Sequence, residues 1–327
     1  MSETFAVVIP YYQTDPKLLT EAIISVQDQS LPPNIEVVIV VVDDGSPSPA
    51  EISLNFVSPR LSFEIVLLKQ ENAGVGAARN KALDHLASIK PKYAAFLDSD
   101  DIWLDGHIMD AVKHIDNGID FWFAKSFKAH SRNNTAQDPL VNKVKNEALE
   151  PQLTFESGET AFSMILRECL PHTSTSAYNF KKNPEVRFSR DLMLAGEDHL
   201  FWLTIASKSE RVGWTTRKSG RRGEGVSIYE ANLNWDSPKV IELHTYQTLL
   251  RQLIAKTFNL SESDAAFNQA EYEKKLQELV FLFLRKFLKM PRGVVRDLRR
   301  AGKLIDGFYG ALPKITFNVL KSRFRQT

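Results

Sequence analysis

The sequence predicts an α/β protein, a Rossmann-like mixed sheet flanked by helices, followed by a helical C-terminal region. Two observations carry the first part. Over the first hundred residues, runs with a period of two alternate with runs with a period near 3.6, and the run over 35–43, "IEVVIVVVD", is apolar on both faces. A strand buried on both faces belongs to a parallel sheet covered by helices. A third observation carries the second part, because beyond about residue 234 the pattern is helical to the end.

The elements follow in order. "FAVVIPYY" is a β-branched strand punctuated by Pro10, and "PKLLTEAIISVQDQ" sets Leu18, Leu19, Ala22, Ile23 and Val26 at helical spacing. After the strand at 35–43, "FEIVLLKQ" is a third strand, "GVGAARNKALDHLA" a helix opened by glycines, and "YAAFLD" a fourth strand. "DGHIMDAVKHIDN" reads as a helix and "DFWFAKSFKAH" as a strand. Residues 131–158, rich in Asn-Asn, Asp-Pro and Ser-Gly, read as a flexible excursion. "GETAFSMILREC" is a helix, "TSTSAYNF" an alternating strand, and "GEDHLFWLTIASKS" a helix with acids in its first turn. The basic, glycine-punctuated "RKSGRRGEGVS" is expected as a mobile loop. A soft boundary near Asn234 divides residues 1–234 from a helical region, 235–327. Within the first part, about 1–103 and 104–234 form two halves.

The 327 residues carry 41 Lys and Arg against 40 Asp and Glu, so total charge favours neither nucleic acid nor an acidic ligand. The charge is unevenly spread, because from Leu279 onward twelve basic residues face two acidic ones. That excess is confined to the tail and lacks an aromatic platform, which argues against nucleic-acid binding. Cys169 is the only cysteine, which excludes an intrachain disulfide and a cysteine metal cluster. No apolar run approaches the roughly 18–20 residues of a membrane span, and the N-terminus has no signal-peptide pattern. A cytoplasmic protein is expected.

Three acidic clusters end strands or open a helix. In open α/β sheets, ligands bind outside the carboxyl ends of the strands, so this placement is informative. Asp43 and Asp44 suit either a nucleoside N–H or hydroxyl, or an Asx turn. In "FLDSDDIW", carboxylates packed so closely should raise one another's pKa unless a cation neutralises them. Mg²⁺ takes one or two protein carboxylates and completes its octahedron with water and phosphate oxygens. Asp98 and Asp100 suit that role, the alternative being a solvated turn, and Asp101 is set apart as a cap for the next helix. Glu197 and Asp198 suit either a general base or partners of a helix dipole.

Read together and in order, "VVIPYYQ", "SVQDQSL", "VVDDGS", "ENAGVGAARNKAL", "FLDSDDIW" and "GEDHLFWL" resemble the family 2 glycosyltransferases, which are inverting, nucleotide-sugar-dependent enzymes of the GT-A fold. The resemblance spans about residues 4–232. It implies that Pro10 and Tyr12 line the nucleobase site, that Asp44 accepts from the uracil N3–H with Asp43 as its neighbour, and that Arg79 lies near the phosphates. It implies that Asp98 and Asp100 are the DxD pair holding Mg²⁺ or Mn²⁺, with Ser99 beside the nucleotide. Asp198 is implied as the base that activates the acceptor, with Glu197 able to exchange roles with it. Trp103, His172 and Thr173 are implied in the sugar or acceptor pocket. Two departures stand out. "PYYQ" replaces the familiar "PTYN", and the segment after the "GED" helix lacks its usual histidine, so Arg221 and Arg222 are expected to meet the diphosphate.

The reaction that the resemblance implies moves a sugar from a nucleotide-sugar donor, a UDP-sugar, to a glycan or lipid-linked acceptor in cell-surface polysaccharide synthesis. The competing reading is a non-catalytic nucleotide-sugar-binding or scaffold protein, and a binder has no use for the base in "GED". In the tail, Val294, Leu298, Ala301, Ile305 and Phe308 form one apolar stripe on a basic helix. Two destinations are open to it: an anionic membrane surface, which would make the protein peripheral at the inner face of the plasma membrane, or the protein's own core.

Overall fold

A computed structural model describes residues 2–128, 153–223, 237, 239–289 and 291–324. The chain divides into two units, one of Met1–Arg190 with Phe201–Gly225 and the other of Asp191–Leu200 with Val226–Thr327. The boundary expected near Asn234 lies outside the described residues.

Among the described residues of the first unit, nine strands build one mixed sheet: β1 (Glu3–Tyr11), β2 (Ile35–Asp43), β3 (Phe63–Lys69), β4 (Tyr93–Phe96), β5 (Ile102–Trp103), β6 (Phe121–Lys128), β7 (Leu153–Ser157), β8 (Ser176–Asn179) and β9 (Arg211–Arg222). The order is β3-β2-β1-β4-β8-β6-β9-β5, with β7 paired to β9. β3, β2, β1 and β4 are parallel, in registers such as Tyr11 opposite Asp43 and Asp43 opposite Lys69. Their carboxyl ends therefore line one edge. From Phe5 to Tyr11 in β1 and from Val37 to Asp43 in β2 both faces are buried, as the doubly apolar run predicts.

One face is covered by α1 (Pro16–Gln27) and α4 (His107–Asp116), whose Leu19, Ile23, Val26, Ile108 and Ile115 pack with Val7, Ile9, Val37, Ile39 and Trp103. Each such buried side chain contributes roughly 1.5–3 kcal/mol. The remaining helices of this unit are α2 (Ala50–Leu54), α3 (Val75–Ile89), α5 (Gly158–Arg167) and most of α6 (Glu197–Lys208). An aromatic cluster of Phe96, Tyr178, Phe188, Phe201 and Trp202 fills a second layer, with Phe188 stacked on Phe201 at 4.0 Å.

Three expectations are corrected. The expected excursion over 131–158 ends in a strand, β7, antiparallel to β9, while 129–152 lie outside the described residues. The basic stretch expected as a loop is, through Arg222, the end of β9, laddered to β5 and β6. Its sequence lacks apolar alternation because Arg217 is held by Asp110 at 3.0 Å and Lys218 lies over the Phe127 ring, so cations fill positions that apolar residues would mark. Asp101 does not cap the next helix, because β5 intervenes and the residue before α4 is Gly106.

The second unit is helical, with α7 (Val240–Thr257), α8 (Glu262–Lys289), α9 (Pro291–Leu304) and α10 (Phe308–Phe324). The apolar stripe is buried in this unit's own core. Val294, Ala301, Ile305 and Phe308 are at most 1% exposed and pack, with Leu298, against Leu276, Leu279, Leu282 and Phe283. Hydrophobic burial decides between the two destinations, and the stripe is not free to enter a bilayer. Among the described residues no helix is long and apolar enough to cross a membrane.

Candidate functional site

The edge formed by the carboxyl ends of β1 to β4 begins with a proline inside a central strand. Leu97 donates its N–H to the Val8 carbonyl, so that side of β1 faces β4. By alternation Pro10 faces the same way, and its missing N–H falls beyond Val8–Phe96, the last β1–β4 pair, where no bond is lost. Tyr12 follows as a 53% exposed aromatic at the edge. The loops beyond the strands are laced together. Asp44 donates its N–H to the Tyr11 carbonyl at 2.9 Å, Gln13 donates its N–H to Ser46 Oγ at 2.8 Å, and Gln70 donates its N–H to the Asp43 carbonyl at 2.9 Å.

Asp43 and Asp44 are both buried, and their oxygens are largely spent on the chain. Asp43 accepts from the N–H groups of Ser46 and Ala50 at 2.8 and 2.9 Å, which closes the turn and caps α2. Asp44 accepts from Gln70 Nε2 and the Ala73 N–H through Oδ1, and from the Gly74 N–H through Oδ2. The turn geometry weighed as one alternative for these residues is present. Asp44 also fixes the glycine loop ahead of α3.

The turn over 98–101 is divided among different partners. Arg79, buried on α3, donates to Asp98 Oδ1 at 2.7 Å, and its guanidinium lies 5.2 Å from the Phe188 ring centroid. Asn80 locks the Phe188 backbone from both sides at 2.9 and 2.7 Å. Ser99 is buried and accepts from Gln13 Nε2 at 3.3 Å, so the glutamine of "PYYQ" is tied to the residue between Asp98 and Asp100. Asp98 and Asp100 stay partly open to solvent. Asp101 is buried, and burial first, then the charge of Asp98, push its carboxyl above the usual carboxylate range. Ser174, a residue not singled out from sequence, joins the ends of the turn: its hydroxyl accepts from the Asp98 N–H at 3.1 Å and donates to Asp101. Ser174 sits in a 3₁₀ turn of small polar residues, and nothing in "HTSTS" sets it apart from its neighbours.

These oxygens suit a hard divalent cation. Asp98 and Asp100 are half-open carboxylates, and the repulsion felt at Asp101 is what a bound cation would relieve. Among the described residues no three His, Cys, Asp or Glu side chains are grouped to hold a metal. An ion here would thus use one or two protein carboxylates and fill its shell with water and phosphate oxygens, as Mg²⁺ does.

Trp103 is a core residue, 3% exposed, donating from Nε1 to the Ser174 carbonyl at 2.6 Å and stacked on His107 at 4.0 Å. Thr173 is buried and accepts from Trp202 Nε1 at 3.4 Å, and half-buried His172 accepts at its carbonyl from the Thr175 N–H and the Ser176 hydroxyl. Gln29, within "SVQDQSL", explains part of that motif: it donates to the carbonyls of Ser25 and Leu104 and accepts from the His107 N–H, tying α1 to the start of α4. Arg221 and Arg222 end β9 on opposite faces, since residues 220–222 pair regularly with β6. Arg221 lines a cleft of about 430 Å³ with Glu21, Ile24 and Asp105.

Glu197 and Asp198 belong to the second unit, in the first turn of α6. Gly196 ahead of them has φ +89°, and a Cβ there would meet Leu250 Cδ2 at 2.9 Å, so the turn requires glycine. Glu197 is buried. Asp198 is partly exposed, and its Oδ1 accepts from the His199 N–H at 2.7 Å, which leaves Oδ2 for another donor.

The description of glycosyl transferase family 2 matches residues 6–168. The succinoglycan biosynthesis protein ExoW of Rhizobium meliloti is 31% identical over 242 residues, which are 72% of this chain and 73% of ExoW. Among solved structures, S. aureus TarS 1–349 in complex with UDP-GlcNAc matches with a TM-score of 0.60 and 20% identity, covering 100% of this chain and 92% of that one. The mannosyltransferase PcManGT of Pyrobaculum calidifontis, in complex with GDP-Man and Mn²⁺, matches with a TM-score of 0.56 and 15% identity, covering 100% and 83%. These structural likenesses establish the fold.

Proposed function

The chain belongs to glycosyl transferase family 2, and from that premise we propose that it is an inverting, metal-dependent enzyme that moves a sugar from UDP to a hydroxyl of a glycan or lipid-linked acceptor during cell-surface polysaccharide synthesis. The observation that carries the reading is the division of the 98–101 turn. Asp98 and Asp100 stay partly exposed to solvent at the carboxyl edge of the sheet, while Arg79 and Ser174 fix the turn. Asp100 and Asp98 would hold Mg²⁺ or Mn²⁺, which when bound offsets the charge growing on the departing diphosphate.

Tyr12, exposed at the edge, offers a face to the nucleobase, and Asp44 Oδ2, with one acceptor position left, suits an N–H donor. Asp198 is a better base than Glu197 because it is the more exposed of the two and keeps Oδ2 uncommitted. It takes the proton from the acceptor hydroxyl as that oxygen bonds to the anomeric carbon and the carbon–oxygen bond to the diphosphate breaks, inverting the centre. The likeness to ExoW, named for succinoglycan biosynthesis, supports a polysaccharide acceptor, and the UDP-GlcNAc complex of TarS supports a uridine donor.

The test pairs binding with turnover. UDP and UDP-sugars should raise Tm only with Mn²⁺ or Mg²⁺, and GDP species should not. Asp198→Asn should keep that response while turnover falls about 10²- to 10⁴-fold. Metal-independent stabilisation, or a guanosine preference, would overturn the donor assignment, and full turnover by Asp198→Asn would remove the base.

We also infer that the second unit rests on anionic lipid. With the apolar stripe buried, the support for this is the exposed cationic face of α9 and α10, where Arg299, Lys303, Lys314 and Lys321 accompany Phe317. Asp297 and Asp306, the acids of the tail, are already paired with Lys286 and Lys256. Truncation would strip the unit's core, so the measurement is flotation of the Arg299→Glu/Lys303→Glu protein with anionic vesicles. Undiminished binding would end the membrane reading.

A further inference from the structure

We propose that Asp101 is a positioning residue that clamps the end of β9 onto the metal-binding turn and so holds Arg222, rather than Arg221, ready for the donor diphosphate. The proposal rests on the reading of Asp98 and Asp100 as the cation site, and its observations are independent of that reading. Asp101 is the most buried carboxylate of its cluster, and its Oδ1 accepts from the Gly223 N–H, 122 residues away, at 2.8 Å. The Ser174 hydroxyl donates to the same carboxylate, and the Asp101 N–H closes the turn on the Asp98 carbonyl at 2.9 Å. Asp101 is therefore committed to the chain on every side.

Gly223 makes the second half of the clamp. A Cβ at this position would stand 1.8 Å from the Asp100 carbonyl oxygen and 3.2 Å from Asp100 Cβ. The backbone at the end of β9 thus lies directly against the residue expected to bind the metal, closer than any side chain would permit. Arg222 is the next residue back along the strand.

The cations of β9 then sort themselves. Arg217 is paired with Asp110, and Lys218 lies over the Phe127 ring. Arg221 faces the cleft beside Glu21 and Asp105. Arg222 makes no ion pair among the described residues, and its Nε is buried without a hydrogen-bond partner. A buried guanidinium N–H without an acceptor is costly, and a phosphate oxygen is its natural complement. Holding it one residue from the metal-binding turn prepays the positioning that the diphosphate would otherwise have to supply.

The experiment compares Asp101→Asn, which keeps an oxygen for the Gly223 N–H, with Asp101→Ala, which does not, each with and without Arg222→Ala. Amide hydrogen exchange at Gly223 should quicken in Asp101→Ala and stay slow in Asp101→Asn. Donor kcat/KM should fall about tenfold in Asp101→Ala and in Arg222→Ala, stay within about threefold of wild type in Asp101→Asn, and fall little further in the Asp101→Ala/Arg222→Ala double variant. Arg221→Ala should lose less than Arg222→Ala. Multiplying losses in the double variant, unchanged exchange in Asp101→Ala, or an Asp101→Asn protein as impaired as Asp101→Ala with weakened Mn²⁺ binding would each overturn the proposal. A wild-type protein that shows no metal-dependent nucleotide binding would defeat the reading of the cation site instead, while the exchange comparison would still judge the clamp.

Discussion

The acidic pair at the end of β2 and the acidic turn after β4 look alike in sequence and are committed to the chain to different degrees. Asp43 and Asp44 accept five hydrogen bonds from this chain, four of them from backbone N–H groups, and stitch the loops after β2 and β3 into a rim. In the second cluster Asp101 is buried and committed to the chain. Asp98 gives one oxygen to Arg79, and both it and Asp100 stay partly open. Charge density does not report this difference; burial does, since Asp43 and Asp44 are at most 5% exposed while Asp98 and Asp100 remain partly open to solvent.

That contrast can be broken by substitution. The largest effect is expected from Asp100→Asn, which should lower turnover by 10² or more and abolish metal-dependent nucleotide binding, at a stability cost near zero because the group is half-open. A large fall in Tm would mean that Asp100, too, is structural. Next comes Asp44→Ala, which strands the Ala73 and Gly74 N–H groups and should cost about 2–4 kcal/mol in denaturant unfolding. Asp43→Ala, which removes two accepted hydrogen bonds where Asp44→Ala removes three, strands the Ser46 and Ala50 N–H groups and should cost about 1–3 kcal/mol. If both unfold like wild type, the structural role of the pair fails.

The two units differ in the same respect. In the first, the strands of the parallel half and α1, α3 and α4 were legible, because a β-branched run buried on two faces and a 3.6-residue stripe each report their own environment. In the second, the stripe from Val294 to Phe308 was legible as a stripe, while its destination was not, since a helix face matches a bilayer and a neighbouring helix equally well. β9 was hidden for a related reason. Its Arg217 and Lys218 are accommodated by Asp110 and Phe127, residues about a hundred positions away, and no local pattern reports such partners.

By itself the sequence determined the α/β class, the order of the motifs, and the edge at which carboxylates gather, because these follow from local periodicity and from where strands end. Only the tertiary structure decided which of those carboxylates are already spent, because that depends on the arrival of distant donors: Arg79 at Asp98, Ser174 between Asp98 and Asp101, and Gly223 at Asp101. Hydrogen bonds between residues 19 to 122 positions apart leave no period in a sequence, and they are what turn a run of acids into a site.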